Sequence, residues 1–335
     1  MKCPNPLLFL VIIVSFLAAC AAHEEVGRAT FDKGNAALDN GDYDSAIEYF
    51  NETLKVKPDS AGAYISRGIA FGSKGNIDQA IADFDQAIKL DPNRAYAYKN
   101  RGISYSSKGD FDKAIADFNE SIKLDKSNSQ AFVERGFAFT KRLTDKISFS
   151  SKENRTQDHV RELIKEQQSD YAKAIDDFEQ AIKLDPKNIE AYLLLGEIYP
   201  LTLDDKGFDK AIDVLTTAIN IDPTNIEAYY LRSARYQGKS SSVALDDDFA
   251  TTKNVSYQYD EADLNNALSD LNHVINLSPD YKDAYLRRGR IYYQKGEFGK
   301  AIEDYTRATK INPERAHEIS EFIEKLKALE TKKTQ

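Results

Sequence analysis

Residues 61–94 read AGAYISRGIAFGSKGNIDQAIADFDQAIKLDPNR, and residues 95–128 read AYAYKNRGISYSSKGDFDKAIADFNESIKLDKSN. Laid over one another, the two stretches agree at small and apolar positions that a chance match would not keep in register. Gly68 and Gly102 share the eighth place, Gly75 and Gly109 the fifteenth, Ala80 and Ala114 the twentieth, Phe84 and Phe118 the twenty-fourth. Each stretch holds two runs of helical periodicity, such as Ala61 to Ser73 and Asp78 to Leu90, with a glycine-containing turn between them. A pair of amphipathic helices cannot bury its apolar face alone, but stacked neighbours can.

The same 34-residue frame extends in both directions. Before it lies 27–60, with Gly34, Gly41, Ala46, Phe50 and Pro58 in their places. After it come 129–188, 189–225, 226–281 and 282–315, three of which carry extra residues. The twentieth place is alanine in all seven blocks, continuing as Ala174, Ala211, Ala267 and Ala301. Proline holds the thirty-second place in six, the third block having Lys126, and the eighth is glycine except for Ser233. Residues 316–335 follow the last block. Ile319, Phe322, Ile323 and Leu326 fall on one helical face there, as a capping helix requires.

A period of 34 with this signature resembles the tetratricopeptide repeat over most of the chain. The resemblance implies an all-α fold: a right-handed α-solenoid of seven helical hairpins with a C-terminal capping helix. It also implies a protein that binds other proteins or peptides. The family's ligands usually meet places two, five, nine, twelve and thirteen. Here those places include Phe31, Asn35, Ile65, Ile69, Lys99, Ile103, Val133, Phe137, Leu193, Tyr230, Arg290 and Tyr293. The middle of such a groove is apolar, and Glu190, Glu197, Glu227 and Asp283 add acid towards its C-terminal end. The alternative is that some of these side chains pack against the next hairpin. The family's carboxylate-gripping groove finds its nearest counterpart in Phe31, Asn35, Ser66, Tyr96 and Asn100, of which only Asn35 matches, so that mode is disfavoured.

The repeats serve as their own comparison. Arginine holds the seventh place in five blocks, as Arg67, Arg101, Arg135, Arg232 and Arg288. Aspartate holds the twenty-third in the same five, as Asp83, Asp117, Asp177, Asp270 and Asp304. The other two blocks lack both, having Lys33 with Tyr49 and Leu195 with Val214. The joint occurrence predicts an ion pair joining the two helices of a hairpin; the alternative is a row of arginines gripping an acidic ligand.

Counted between matched positions, the fourth block has 26 extra residues, the fifth 3 and the sixth 22. All fall between the two helices of a hairpin, so they emerge on one edge of the array. The first, about Thr140 to Asp170, begins polar and turns helical, so the second helix is expected to start early. Val160, Leu163, Ile164 and Tyr171 would share one side of that extension. The other, about Gln237 to Glu261, carries Asp246 to Asp248 at a spacing that does not make a calcium loop and reads as an acidic, solvated segment.

The first nineteen residues have the form of an export signal. Lys2 precedes an apolar run from Leu7 to Leu17, then come Ala18, Ala19 and Cys20. Leu7 to Ala22 falls short of the ~18–20 residues that cross a bilayer. Leu17-Ala18-Ala19-Cys20 resembles the bacterial lipobox, which implies lipidation of Cys20, residues 20–26 as a short tether, and a membrane attachment through the N-terminal lipid. The implied place is the bacterial cell envelope, at an outer membrane facing the periplasm. Ordinary cleavage after Ala21 or Ala22, giving a secreted, non-lipidated periplasmic protein, is the alternative.

Composition narrows the remaining classes. A net charge of −9 repels nucleic-acid phosphates, and no run of Lys and Arg offsets it. Cys3 and Cys20 are the only cysteines, and the four histidines are scattered, so no zinc, disulfide or thiol chemistry is expected. No phosphate loop or Cys–His pair is present, and neither a catalytic residue nor a cofactor is expected. The reading is therefore an envelope interaction scaffold whose partner is a protein or peptide segment at the membrane surface. Pilus assembly, barrel-protein insertion and cell-wall hydrolase scaffolding are alternatives, as is an assembly factor that works through the inserted loops.

Overall fold

The computed structural model describes residues 24–149, 157–202, 204–240, 259–313 and 316–333. The lipobox and most of the acidic insertion lie outside them. The fold is all-α, and the described helices group into two compact units, Met1–Thr156 and Gln157–Gln335. The sequence reading runs a single array through this point; the division falls within the 26-residue insertion of the fourth block.

The first unit contains α1 (24–39), α2 (Tyr43–Val56), α3 (Ala61–Ser73), α4 (Ile77–Leu90), α5 (Ala95–Ser107), α6 (Phe111–Leu124) and α7 (Ser129–Phe149). The second contains α8 (Gln157–Leu184), α9 (Ile189–Ile198), α10 (Gly207–Ile221), α11 (Ile226–Ser240), α12 (Glu261–Leu277), α13 (Lys282–Gln294), α14 (Phe298–Ile311) and α15 (Ala316–Lys333). Within each unit, helices that follow one another in the chain pack together, as α3 does with α4, α5 with α6 and α13 with α14. Among the described residues no helix is long and apolar enough to cross a membrane.

Local chemistry explains the boundaries. Between the helices of a hairpin, Gly75 takes φ +81° and Gly109 φ +79°, a left-handed turn that L side chains resist. Between hairpins, the residue before proline is held extended, as at Asp91 (φ −142°, ψ 91°) before Pro92. Asp125 adopts the same geometry with Lys126 after it, so proline is not what makes the turn. Its carboxylate accepts from the Ser127 N–H at 2.9 Å, as Asp222 accepts from Thr224. The side chain of the aspartate closes the turn by itself.

The hairpin core follows from the small residues. All seven alanines of the twentieth place are fully buried, Ala46 through Ala301. A Cβ on Gly68 or Gly102 would stand 2.7 Å from the ring of Phe84 or Phe118, so these glycines let a phenylalanine lie directly on the backbone of the facing helix. At the C-terminal end, Ile323 and Leu326 of α15 bury themselves with Ala301 and Tyr305, while Ile319 and Phe322 lie at the margin of that cluster.

The first insertion is built as helix on both sides. α7 runs to Phe149 and α8 begins at Gln157, so the first helix of the hairpin lengthens as well as the second. Ile164 on the extension is exposed and Tyr171 is buried, which separates them. The side chains of Val160 and Leu163 lie outside the described residues.

Candidate functional site

The Arg and Asp of a hairpin meet as a two-pronged pair. In the third hairpin Arg101 donates from Nε and Nη2 to the two oxygens of Asp117 at 2.8 and 2.7 Å. Arg67 with Asp83, Arg232 with Asp270 and Arg288 with Asp304 repeat this at 2.6–2.9 Å. Arg135 lies in the first unit and Asp177 in the second, where it is buried, so that pair stays an expectation. Each arginine also stacks on the aromatic three residues earlier, from Tyr64 at 5.4 Å to Tyr229 at 5.7 Å.

Sequence reasoning missed the third partner. The remaining Nη1 of each arginine reaches back to the preceding hairpin: Arg67 to Asn51, Arg101 to Asp85, Arg135 to Asn119, Arg232 to Thr216 and Arg288 to Asn272. The acceptor always stands sixteen residues before the arginine, so a signal was present. One guanidinium thus ties three helices. Where the arginine is absent, other chemistry fills the place: Lys33 lies over the Tyr49 ring, and Tyr199 donates to Glu179 at 2.9 Å.

Hydrogen bonding to Asp83, Asp117 and Asp304 holds Arg67, Arg101 and Arg288 above the usual arginine range. Burial pushes the Asp117 and Asp270 carboxyls upward, against the arginines facing them. A carboxyl raised in the folded state contributes stability that is present at acid pH and lost as pH rises through the folded value. At neutral pH these buried carboxylates therefore set geometry more than they stabilise.

A second, exposed ladder also went unread. Lys108 meets Asp78, Arg142 meets Asp112 and Lys239 meets Asp209, each thirty residues apart; Lys74 and Asp44 pair likewise. Such exposed pairs contribute about 0–1 kcal/mol each.

The twelve face residues divide by burial. Ile65 and Val133 are only 4% and 1% exposed, so they pack inside the hairpin stack and offer nothing to a ligand. Phe31 packs on Phe50 inside its own hairpin, whereas Asn35 accepts from Ser66 of the next one. Ile69, Ile103 and Phe137 are half-buried in the first unit, with Lys141 over the Phe137 ring. Lys99 lies over Tyr96, which is 49% exposed; burial lowers the Lys99 ammonium, against the field of Glu134. In the second unit Leu193 packs beside Ala218 and Ile219, and Tyr230 receives Arg287. Arg290 is exposed, and Tyr293 lies 5.5 Å from Phe322 of the capping helix. Among the described residues, no group of three or more His, Cys, Asp or Glu side chains could hold a metal.

Family models agree with this geometry. Those described as tetratricopeptide repeat match residues 95–128 and 283–315, and 15–63 and 31–75; one described as TPR repeat matches 68–109 and 166–200. The hairpins are tetratricopeptide repeats. A tetratricopeptide repeat protein from Parabacteroides merdae ATCC 43184 is 18% identical, covers 90% of this chain and 98% of its own, and has a TM-score of 0.54. The Cut9–Hcn1 hetero-tetramer of APC/C has the same TM-score at 13% identity, over 88% of this chain and 48% of that one. At such identities the likeness speaks for the fold. No curated protein matches the chain. Tetratricopeptide repeats generally mediate protein–protein interactions, and the fold is typically a non-enzymatic scaffold.

Proposed function

We propose that the chain is a lipid-anchored interaction scaffold of the bacterial cell envelope, which captures an extended or helical segment of a membrane-surface protein on the faces of its first helices. The observation that carries the binding reading is the row of half-buried apolar and amphipathic side chains left over once the arginine clips and the Gly–Phe contacts are accounted for. Ile69, Ile103 and Phe137 in the first unit and Tyr230 in the second are of this kind. Side chains that are part apolar and part accessible are suited to anchoring a peptide. The anchoring reading is supported by Leu17-Ala18-Ala19-Cys20 after an apolar run too short to span, and by the lack of any later cysteine.

Two outcomes are expected. Cys20→Ala should release the protein from the membrane fraction or block its maturation; a variant that is processed and fractionates like wild type would exclude lipidation there. Ile103→Glu combined with Phe137→Glu should abolish crosslinked recovery of the partner from solubilised membranes, with the variant still membrane-bound and its melting unchanged. Undiminished recovery by that variant, and its loss on deletion of the two long insertions, would assign the work to the insertion edge.

A further inference from the structure

Exposed apolar side chains of the first unit gather at one edge. Among its described residues the exposed large hydrophobics are Val26 at 53%, Leu90 at 37%, Tyr96 at 49% and Leu124 at 37%. Val26 lies in the first turn of α1, Leu90 ends α4, Tyr96 is the second residue of α5 and Leu124 ends α6. With 13 and 14 residues, α3 and α4 are nearly equal in length and pack together, so the end of α4 returns to the level at which α3 began. The turns between hairpins, at 57–60, 91–94 and 125–128, therefore share one edge, and the four side chains stand within a helical turn of it. The turns at Gly75 and Gly109 occupy the other edge, where Lys74 meets Asp44 and Lys108 meets Asp78. Apolar side chains scattered singly over a surface need no explanation, but these are not scattered.

The chain enters at that same edge. Glu24, the first residue of α1, pairs with Lys57 at 3.0 Å, and a Cβ on Gly27 would stand 3.0 Å from Val56. Three residues separate Glu24 from Cys20, a reach of no more than roughly 14 Å. A lipid on Cys20 is therefore held near Val26 and the turn at 57–60. Charge at the edge suits a headgroup layer. Lysine holds the twenty-ninth place of all three hairpins, as the exposed Lys55, Lys89 and Lys123, and offsets the acids of the turns. Of those acids Glu24 is paired with Lys57 and Asp91 with Arg94. A lysine stem reaches polar headgroups while the leucine beside it dips deeper, and a tyrosine ring suits the boundary between the two.

We propose that the first unit stands on the membrane by its inter-hairpin edge, with Val26, Leu90, Tyr96 and Leu124 at the boundary of headgroups and acyl chains. The proposal rests on lipidation of Cys20 and adds an orientation to it: the lipid attaches the protein and the edge orients it. The 21 residues of α7 outrun the 13 of α5, so α7 carries the first insertion away from the bilayer. Ile69 and Ile103, further along α3 and α5, stay clear of the lipid.

The chain contains no tryptophan, so a single introduced tryptophan reports one place. Leu90→Trp, Tyr96→Trp and Leu124→Trp mark the inter-hairpin edge. Ser73→Trp and Ser107→Trp, at the exposed last residues of α3 and α5, mark the opposite one. Each full-length variant is purified from membranes and placed in phosphatidylcholine vesicles with plain or brominated acyl chains, and mass spectrometry of the N-terminal peptide reads the acylation of Cys20. Bromine should reduce emission from the first three roughly twofold, as expected of aromatic rings at the interface, and leave the last two unchanged. Each reporter is a separate variant at an exposed position, so one that melts early leaves the others to decide. An unacylated Cys20 would overturn the anchoring reading and the orientation with it. Acylated protein with both edges quenched alike, or neither, would overturn the orientation alone. Emission from the inter-hairpin edge that is blue-shifted yet insensitive to bromine would also overturn it, and would assign that edge to a protein surface such as a second copy.

Discussion

Asp117→Ala is expected to destabilise the first unit by about 3–5 kcal/mol, the cost of leaving a paired, partly buried cation without its main partner. Asp117 is 6% exposed and takes two hydrogen bonds from Arg101, whose guanidinium stacks on Tyr98 at 5.6 Å. After the substitution Asp85 still accepts from Nη1, which places the expectation toward the lower end of the range. Urea unfolding monitored by circular dichroism measures it. Arg101→Ala should cost a comparable amount, and the double variant clearly less than the sum, because the residues form one unit. Strict additivity, or a cost under about 1 kcal/mol for Asp117→Ala, would remove the clip from the list of structural devices. Lys108→Ala in the exposed ladder is the internal control, expected to cost no more than about 1 kcal/mol.

Gly102→Val should cost about 3 kcal/mol or more, at the upper end of what overpacking usually costs. The first added carbon would stand 2.7 Å from the ring of Phe118, which is fully buried and has nowhere to go. Gly62→Ala on the neighbouring helix supplies the contrast. Its Cβ would meet nothing closer than Phe31 at 3.7 Å, so the helix-propensity gain of up to about 1 kcal/mol should survive. Adding side-chain atoms to two glycines of successive first helices should thus give opposite signs in the same unfolding assay. Equal and small effects would mean that Phe118 is not pressed on the backbone of α5.

Contacts inside a hairpin were legible because the repeat holds their sequence spacing constant. Gly102 and Phe118, or Arg101 and Asp117, lie sixteen apart, as do Gly68 with Phe84 and Arg67 with Asp83. The all-α fold, the turns and the face of the capping helix follow from such local regularities, in which side-chain period and small-residue placement leave one way to bury the apolar stripe.

What the sequence reading missed or misassigned runs between hairpins. Asn51, Asp85, Asn119, Thr216 and Asn272 became the third ligands of the arginines only because stacking brings each second helix beside the next first helix. The family pattern put Ile65 and Val133 on the binding face, yet both are buried. Place in the repeat gives a side chain's direction, whereas exposure depends on how closely its neighbours stand. The sequence by itself therefore determined the unit and its internal bonds, since these depend on local spacing. Tertiary structure decided which surfaces remain available, since that depends on how one hairpin stacks upon the next.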